Sequence, residues 1–317
     1  MPPSPTVSVV SPVYHGRDTV AELVRRIQAS LAGAGYSHEI ILVDDACPQD
    51  SWSTIRQVCA QNPHVIGIRL TRNVGQHRAL RAGLMRCRGD YVAVLDCDLQ
   101  DDPAVLPALL ERAREGFAVV YARRHRREPA SIRDRGAGAF YRIVSLLSGA
   151  PPIDARRGMY TVLPRSTLLK LLARQDANCR YLLTLHGLSL PSADIEVIRL
   201  PRAVGGSSYG WIRLLRLSWE GMVSASARSR RWAIPVGLLV AGTGFFGVCL
   251  AAFGKLPWSA SLPGWRLLCA FALAPGIVVS GLGLIARRLE RSRSVPLKEE
   301  PYRIRESVNE AGLPAAS

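Results

Sequence analysis

Two acidic residues one position apart, Asp96 and Asp98, follow the short apolar run Tyr91–Leu95. A run of this kind predicts a buried strand, and the ligands of parallel α/β sheets gather at the carboxyl ends of the strands. Two carboxylates that face the same way repel each other unless a cation joins them. A hard divalent ion such as Mg²⁺ or Mn²⁺ takes oxygen ligands and completes its shell with phosphates and water. Asp96 and Asp98 are therefore candidate ligands of a divalent metal.

The elements that must position these acids form a regular series along the first 122 residues, in which apolar runs alternate with amphipathic stretches. This alternation predicts an α/β fold with a parallel sheet and helices on both of its faces. Asp102 and Pro103 mark a helix start, because Asp is a preferred N-cap and Pro suits the first helical position. The predicted strands are Val7–Ser11, Glu39–Val43, Val65–Leu70, Tyr91–Leu95 and Phe117–Tyr121, and the predicted helices lie near Val20–Leu31, Trp52–Ala60, His77–Cys87 and Pro103–Arg114.

Two apolar runs near the C-terminus, 232–254 and 267–286, each approach the ~20 residues that a membrane-spanning helix needs. They predict a transmembrane hairpin. Three arginines shortly precede the first run and four follow the second, so both ends are expected on the cytoplasmic side. Neither run contains a charged residue, which favours an anchor over a transporter. The preceding segment, 209–231, predicts a basic amphipathic helix that lies either at the membrane interface or on the surface of the first domain.

The net charge of +16 calls for an anionic partner or surface. Anionic lipid with phosphorylated substrates is one explanation, and nucleic acid is the other. No aromatic stacking motif or recognition-helix pattern accompanies the basic residues, so nucleic acid is disfavoured. The seven cysteines contain no CxxC pair, which favours reduced cytosolic thiols. The N-terminus has no basic segment followed by an apolar one, and we expect no cleaved signal peptide.

Four segments, in the same order, resemble the family 2 glycosyltransferases of the dolichol-phosphate mannose synthase and bactoprenol (polyprenyl-phosphate) glucosyltransferase group. These segments are Ser11–Tyr14, Leu42–Asp45 followed by Asp50, Arg72–Gly75, and Gly89–Pro103. The resemblance covers nearly the whole chain, including a C-terminal strand near Glu300–Glu306. It implies a GT-A catalytic domain, which has a Rossmann-like α/β fold.

By this resemblance, the four segments bind a nucleotide-sugar. Asp44 reads the edge of the nucleobase, Asp96 lies near the ribose and the metal, and Asp98 is a catalytic, metal-binding acid. Gln100 joins Asp96 and Asp98 in holding Mg²⁺ or Mn²⁺ against the diphosphate. The implied nucleotide-sugar contacts are Pro12, Tyr14, Asp44, Arg72 and Asp96.

Basic residues further along the chain resemble the acceptor-binding segments of the same group. Arginine suits a lipid phosphate, because the guanidinium group binds phosphate through two hydrogen bonds and stays charged. The alternative is a solvated basic loop that is attracted to anionic headgroups. The implied acceptor-phosphate residues are Arg123, Arg133, Arg202 and Ser207.

Several positions depart from the pattern of that group. Ser208 stands where the group has Lys, and Ala137 stands where it often has Ser. Met159 and Thr161 replace an Asp that is sometimes proposed as the base and an Arg. Asp154, a few residues earlier, is a candidate catalytic substitute. These departures keep a second hypothesis open: a catalytically impaired homologue that acts as a membrane adaptor or partner subunit in surface-glycan assembly.

The residues and the resemblance together predict a metal-dependent, inverting transfer of one sugar from a nucleotide-sugar, with a UDP-sugar favoured, to polyprenyl (undecaprenyl) phosphate. The expected location is the inner membrane, with the catalytic domain and both termini in the cytoplasm. A separate flippase and a downstream transferase are expected partners, and homo-oligomers are an option. The expected domains are a GT-A domain at 1–208, an interfacial segment at 209–231, a transmembrane hairpin at 232–286 and a cytoplasmic tail at 287–317.

Overall fold

Strands occupy all five positions that the apolar runs predict, and three more follow in the described part of the chain. The computed structural model describes residues 5–125, 154, 156–174, 181–198, 242 and 302–310. The strands are β1 (Val7–Val13), β2 (His38–Asp44), β3 (Val65–Leu70), β4 (Tyr91–Val94), β5 (Val119–Arg124), β6 (Arg157–Pro164), β7 (Ser192–Val197) and β8 (Ile304–Val308). The helices are α1 (Val20–Gly33), α2 (Ser51–Gln61), α3 (Gln76–Leu84), α4 (Leu106–Arg114), α5 (Arg165–Leu172) and α6 (Tyr181–His186), and a 3₁₀ turn (Pro103–Val105) precedes α4.

The described strands form one sheet in the order β7-β5-β6-β4-β1-β2-β3-β8. The strands β1 to β4 are parallel, and so is the pair of β5 and β7. Only β6 and β8 run antiparallel to their neighbours within this sheet. The α/β class with a mostly parallel sheet is therefore confirmed. Because β6 and β8 are reversed, their first residues lie at the same edge as the last residues of the other strands.

The side chains of the central strands alternate between two apolar layers. Val9 packs in the layer of α1, α2 and α4, whereas Val10 packs in the layer of α3, α5 and α6. Helices thus cover both faces of the sheet, as predicted. Two glycines allow close packing: a Cβ at Gly67 would lie 2.7 Å from Ile55, and a Cβ at Gly83 would lie 2.5 Å from Val10.

The last strand, β8, lies at the edge of the sheet beside β3. The side chain of Asn309 donates hydrogen bonds to three backbone carbonyls around the end of α2 and the start of β3. Arg86 and Glu310 form an ion pair at 2.6 Å. A C-terminal strand, which the resemblance implied, is therefore confirmed. The segment 287–317 that we expected to be a tail contributes a strand to the main sheet.

Within the residues that the structure describes, no helix combines the length and the apolar character needed to cross a membrane. The predicted spans, 232–254 and 267–286, lie outside those residues apart from Gly242. The transmembrane hairpin, the amphipathic segment 209–231 and the domain boundaries therefore stay predictions.

The direction in which strands are added reverses at β1, which lies between β2 and β4. In open α/β sheets, ligands bind outside the carboxyl ends of the strands at such a reversal. The pairing of β1 with β4 ends at Val10, whereas its pairing with β2 continues to Val13. Pro12 lies past the end of the β4 pairing, so its missing N–H removes no hydrogen bond to β4.

Candidate functional site

The backbone is strained in the loops that leave β1, β2 and β4. Six non-glycine residues among those described have a positive φ, and four of the six belong to these loops. The four are His15, Ala46, Asp50 and Leu99, with φ between 50° and 60°. Each such residue costs of order 1–3 kcal/mol and persists where the surrounding structure holds it. Apart from Arg72, every predicted nucleotide or metal residue lies within three positions of one of them.

Asp44, the predicted nucleobase contact, is the last residue of β2 and is fully buried. Its Oδ1 accepts a hydrogen bond from the Cys47 backbone N at 3.2 Å. No described residue donates a hydrogen bond to its Oδ2, which lies 3.5 Å from Arg69 Nε. Burial raises the pKa of Asp44, and the Cys47 N–H and the charge of Arg69 offset part of that shift. A buried carboxylate oxygen that lacks a donor can accept a hydrogen bond from an N–H group of a ligand.

Asp45, the next residue, holds the neighbouring loop in place. Its Oδ1 accepts a hydrogen bond from Val74 N at 2.7 Å, and its Oδ2 accepts one from Gly75 N at 2.9 Å. Gly75 has a φ of 91°, which favours glycine. The loop also carries Arg72, whose side chain is exposed. Asp45 therefore fixes the backbone that presents Arg72.

Two cysteine sulfurs lie against the loop after β1. The backbone N of His15 donates to Cys47 Sγ at 3.1 Å, and a Cβ at Gly16 would lie 3.2 Å from Cys97 Sγ. Both thiols are buried, and burial raises the pKa of Cys97 to about 12, so this thiol is neutral. The Tyr14 side chain is 43% exposed and available to a ligand, whereas Pro12 is buried and shapes the end of the strand.

The predicted metal ligands alternate with buried residues in the loop after β4. The side chains of Asp96, Asp98 and Gln100 are half-buried, and the residues between them are buried. Asp98 Oδ1 accepts a hydrogen bond from the Gln100 backbone N at 3.1 Å. Asp96 Oδ1 accepts one from Gln76 Nε2 at 2.5 Å. All three oxygen-bearing side chains thus reach the accessible side of the loop.

These three residues fit a divalent metal that shares its ligands with a substrate. Hard cations prefer carboxylate and amide oxygens, which Asp96, Asp98 and Gln100 supply. In the part of the chain that the structure describes, no group of three or more His, Cys, Asp or Glu side chains could hold a metal alone. The donor set therefore leaves coordination positions for phosphate oxygens and water, which is how Mg²⁺ is usually bound at phosphate sites.

At the end of β5, the predicted acceptor residue Arg123 is paired with the predicted catalytic residue Asp154. Arg123 Nε donates to Asp154 Oδ2 at 2.8 Å, and Arg156 donates to the same carboxylate through its backbone and its guanidinium. Glu196 of β7 lies 3.6 Å from Arg123 and 3.2 Å from His125. All five side chains are between 25% and 53% exposed, so water reaches these pairs.

Met159 and Thr161, where the chain departs from the resembled pattern, belong to β6. Thr161 pairs with Val94, so Met159 lies beyond the end of β4, beside the loop that carries Asp96. Both side chains are buried, and the Thr161 hydroxyl lies 2.6 Å from the Tyr181 hydroxyl. The sequence of β6 contains no acidic residue. At Met159, β6 therefore presents a buried apolar side chain where the resembled pattern has a carboxylate.

Several predicted residues fall outside the described part of the chain. Arg133, Arg202 and Ser207 are among them, as are the departures Ala137 and Ser208. Their roles stay predictions. The roles of the described residues are predictions too. The structure shows where these residues lie: the nucleotide and metal residues are at or just after the carboxyl ends of β1 to β4, and Arg123 is near the end of β5.

Some residues of the site were missed by sequence reasoning: Gln76, Glu196 and the sulfurs of Cys47 and Cys97. A signal for Gln76 was available, because it directly follows the loop at the end of β3. Glu196 and the two cysteines contact residues that are distant in sequence. No local pattern marks such contacts.

Comparison with known proteins assigns the family. Residues 8–171 match the family described as glycosyl transferase family 2. This segment runs from β1 into α5 and so includes the loops after β1 to β5. The chain belongs to this family and is a glycosyltransferase, which confirms the family that the resemblance predicted.

Several curated proteins are similar over nearly the whole chain. Undecaprenyl-phosphate 4-deoxy-4-formamido-L-arabinose transferase from Klebsiella pneumoniae (strain 342) is 31% identical, covering 92% of this chain and 90% of that protein. The protein of the same name from Aeromonas hydrophila is 28% identical and covers 98% and 96%. Uncharacterized glycosyltransferase YkcC from Bacillus subtilis (strain 168) is 29% identical and covers 90% and 88%. The similarity thus extends beyond the family segment.

Among solved structures, mannosyl-3-phosphoglycerate synthase from Rubrobacter xylanophilus is similar in fold. The two structures have a TM-score of 0.50 at 20% sequence identity, over 72% of this chain and 75% of that one. At this identity the likeness concerns the fold alone, and it agrees with a GT-A-like α/β domain.

Proposed function

We propose that the chain transfers a single sugar from a nucleotide-sugar, with a UDP-sugar favoured, to polyprenyl phosphate. The observation that carries the proposal is the grouping at one edge of the sheet. Two half-buried carboxylates, Asp96 and Asp98, share that edge with Asp44, whose buried Oδ2 has no donor among the described residues. The lipid acceptor is supported by relatives that are named for undecaprenyl phosphate.

Donor binding is assigned to the loops after β1, β2 and β3. Asp44 Oδ2 accepts an N–H of the nucleobase, which restores the missing hydrogen bond of a buried acceptor. The exposed ring of Tyr14 packs against the nucleoside. Arg72, presented by the loop that Asp45 holds, contributes a positive charge toward the diphosphate.

The loop after β4 is assigned to the metal. Asp96, Asp98 and Gln100 would hold a divalent ion, which would supply positive charge to stabilise the departing nucleoside diphosphate. Gln76 orients Asp96 through its hydrogen bond, and the strained backbone at Leu99 holds Asp98 and Gln100 in one turn. These contacts preorganise the ligands before the substrate arrives.

The acceptor phosphate is assigned to the arginines at the end of β5. Arg123 and Arg156 already hold a carboxylate, that of Asp154, and a phosphate binds guanidinium groups in the same way with more charge. The lipid phosphate therefore competes with Asp154 for these arginines. Its oxygen attacks the anomeric carbon from the face opposite to the leaving group, which inverts the configuration.

A phosphate acceptor also accounts for the apolar residue at Met159. The second pKa of a phosphate monoester is about 6, so the nucleophile is already largely ionised at neutral pH. Positioning is then more important than proton removal, and β6 needs no carboxylate. The adaptor hypothesis, which Met159 and Ser208 motivated, is the second candidate.

A lipid acceptor places the reaction at the membrane surface. The predicted hairpin, 232–286, and the net charge of +16 support an inner-membrane location with the catalytic domain and both termini in the cytoplasm. The lipid-linked product then needs a flippase and a downstream transferase on the other side. The hairpin also offers a surface for homo-oligomers.

The direct test is sugar transfer by purified full-length protein in detergent. The assay supplies undecaprenyl phosphate, Mg²⁺ or Mn²⁺, and a panel of labelled UDP- and GDP-sugars. We expect one donor to give a lipid-linked product that disappears when the metal is chelated. NMR of the product should show the anomeric configuration opposite to that of the donor.

Two results would overturn parts of this proposal. Transfer to a soluble phosphate such as 3-phosphoglycerate, with none to the lipid, would remove the lipid acceptor. No transfer from any donor, together with no metal-dependent protection by UDP or GDP, would favour the adaptor.

A further inference from the structure

We propose that Glu306, in the C-terminal strand β8, is a positioning residue for the nucleotide-binding carboxylate of Asp44. The proposal rests on the proposed function, in which Asp44 accepts a hydrogen bond from the nucleobase. It adds to donor binding a strand that the chain reaches only after the predicted membrane hairpin.

Three charged residues of alternating sign lie side by side on adjacent strands. Asp44 of β2 is in register with Arg69 of β3, and Arg69 is in register with Glu306 of β8. Residues in register on neighbouring strands point to the same face of a sheet. Arg69 therefore stands between two carboxylates, with its Nε 3.5 Å from Asp44 Oδ2.

Glu306 acts through a tryptophan of α2. Trp52 Nε1 donates a hydrogen bond to Glu306 Oε2 at 3.0 Å, and Trp52 is only 3% exposed. The guanidinium carbon of Arg69 lies 6.0 Å from the centroid of the same ring. Gly67 leaves room for the indole, because a Cβ there would lie 3.3 Å from it. Glu306 thus fixes the ring that limits where the Arg69 guanidinium can lie.

The position of Arg69 decides how available Asp44 Oδ2 is to a ligand. At 3.5 Å, and without a hydrogen bond, the guanidinium favours the ionised carboxylate and leaves the buried Oδ2 without a donor. A closer Arg69 would donate to that oxygen and occupy it. A more distant Arg69 would leave the buried charge of Asp44 without its partner. Either shift weakens the acceptor that the nucleobase needs.

The chain offers a matched control in Glu310. It lies four positions after Glu306 and forms its own ion pair, with Arg86 at 2.6 Å. Because β8 is antiparallel to β3, Glu310 lies toward the edge of the sheet opposite to the nucleotide side. Removing Glu310 loosens the same C-terminal segment without touching Trp52 or Arg69.

The experiment measures the affinity of full-length protein in detergent for UDP and GDP with Mn²⁺, by calorimetry. Glu306→Ala and Trp52→Phe each remove the partly buried hydrogen bond between these two side chains. We expect the affinity for whichever nucleotide binds, UDP or GDP, to fall about fivefold. Glu306→Gln should restore most of the affinity, because the amide oxygen still accepts the indole N–H. Glu310→Ala should bind like the wild type. Pyrophosphate with Mn²⁺ lacks a base and should bind all variants equally.

Three outcomes would overturn the proposal: unchanged nucleotide affinity in Glu306→Ala, equal losses in Glu306→Ala and Glu310→Ala, or a parallel loss of pyrophosphate affinity. The last two outcomes would show that β8 only supports the fold. The thermal unfolding midpoint of each variant tests this explanation, because a merely supporting strand would lower stability and affinity together. Failure of the wild type to bind either nucleotide is a different result, because it would overturn the proposed function itself.

Discussion

The two sides of the site hold their acidic groups in opposite ways. On the donor side, formed by the loops after β1 to β4, Asp44 and Asp45 are 0% and 2% exposed and accept hydrogen bonds from backbone N–H groups. On the acceptor side, formed by residues at the ends of β5 and β7 and before β6, Asp154 and Glu196 are 29% and 53% exposed. Most of their partners are the side chains of arginines and a histidine, and one backbone N–H, that of Arg156, also donates to Asp154.

This difference indicates two kinds of recognition. Backbone donors cannot move without the loop, so the donor side is preorganised, and its strained residues His15, Ala46, Asp50 and Leu99 are all there. Half-exposed ion pairs contribute little to stability, with a median of about 0–1 kcal/mol. They can be exchanged for a phosphate at small cost. The donor side therefore suits a specific nucleotide, and the acceptor side suits a charged group that arrives on a lipid.

The largest effect is expected from Asp98→Asn, which removes from the donor side a charge that we propose binds the metal, and keeps the shape of the side chain. Metal stabilisation of the leaving group is worth several kcal/mol, so transfer should fall at least about a hundredfold. The measurement is the initial rate of lipid-linked sugar formation. The control is Asp102→Asn: Asp102 caps the Ala104 N–H at 3.0 Å, and asparagine caps equally well. Substantial residual transfer by Asp98→Asn would contradict the metal assignment.

A second change, Asp44→Asn, should separate binding from stability. Loss of the carboxylate should lower nucleotide affinity about tenfold. The free energy of unfolding at neutral pH should rise, because burial raises the pKa of Asp44 and the folded state therefore disfavours its charge. Calorimetry with UDP or GDP and urea unfolding measure the two effects.

The substitution Asp44→Asn should also change how stability and nucleotide affinity depend on pH. With a folded pKa above the unfolded value of about 3.9, Asp44 binds more protons when folded, so its contribution to stability is lost as pH rises through that window. Nucleotide affinity runs the other way, and falls as pH drops through the raised pKa. The pH dependence of stability and the pH dependence of nucleotide affinity should both weaken in Asp44→Asn. Some pH dependence of stability should remain, because burial also raises the pKa of Asp45. A wild-type pH profile in the variant would rule out Asp44 as the titrating group.

On the acceptor side, Arg123→Gln should raise the KM for undecaprenyl phosphate about fivefold, since one charge-assisted hydrogen bond is lost at a half-exposed position. The KM for the donor should not change. Arg157→Gln is the matched control, because Arg157 binds Asp194 through two hydrogen bonds of 2.8 and 3.0 Å instead of facing Asp154. Equal increases of acceptor KM in the two variants would mean that Arg123 has no special role.

The smallest effect is expected from Met159→Leu. Swaps between apolar residues of similar volume usually lower the free energy of unfolding by less than about 1.5 kcal/mol. If the Met159 side chain has no chemical role, the transfer rate of the variant should stay within about twofold of the wild-type rate. Rates and thermal unfolding midpoints provide the readout. A large loss of rate in a stably folded variant would show that the thioether takes part in the reaction.

The comparison of predicted and observed strand boundaries shows which parts of the fold local sequence patterns can locate. The apolar runs located β1 to β4 with shifts of a few residues at their ends. β5 was predicted at Phe117–Tyr121 but lies at Val119–Arg124, because Arg123 and Arg124 continue the ladder with β7. A strand end that is polar and held by a distant partner gives no apolar signal. The same reason explains why Glu196, in register with Arg123, was missed.

The sequence by itself determined the fold class, the order of the loops and the acids that follow β2 and β4, because apolar periodicity and motif spacing are local properties. Only the tertiary structure decided that Asp45 holds the next loop, that Arg123 is paired with Asp154, and that β8 lies beside β3. These contacts join residues that are far apart in the chain. They depend on strand order and register, which no local pattern encodes.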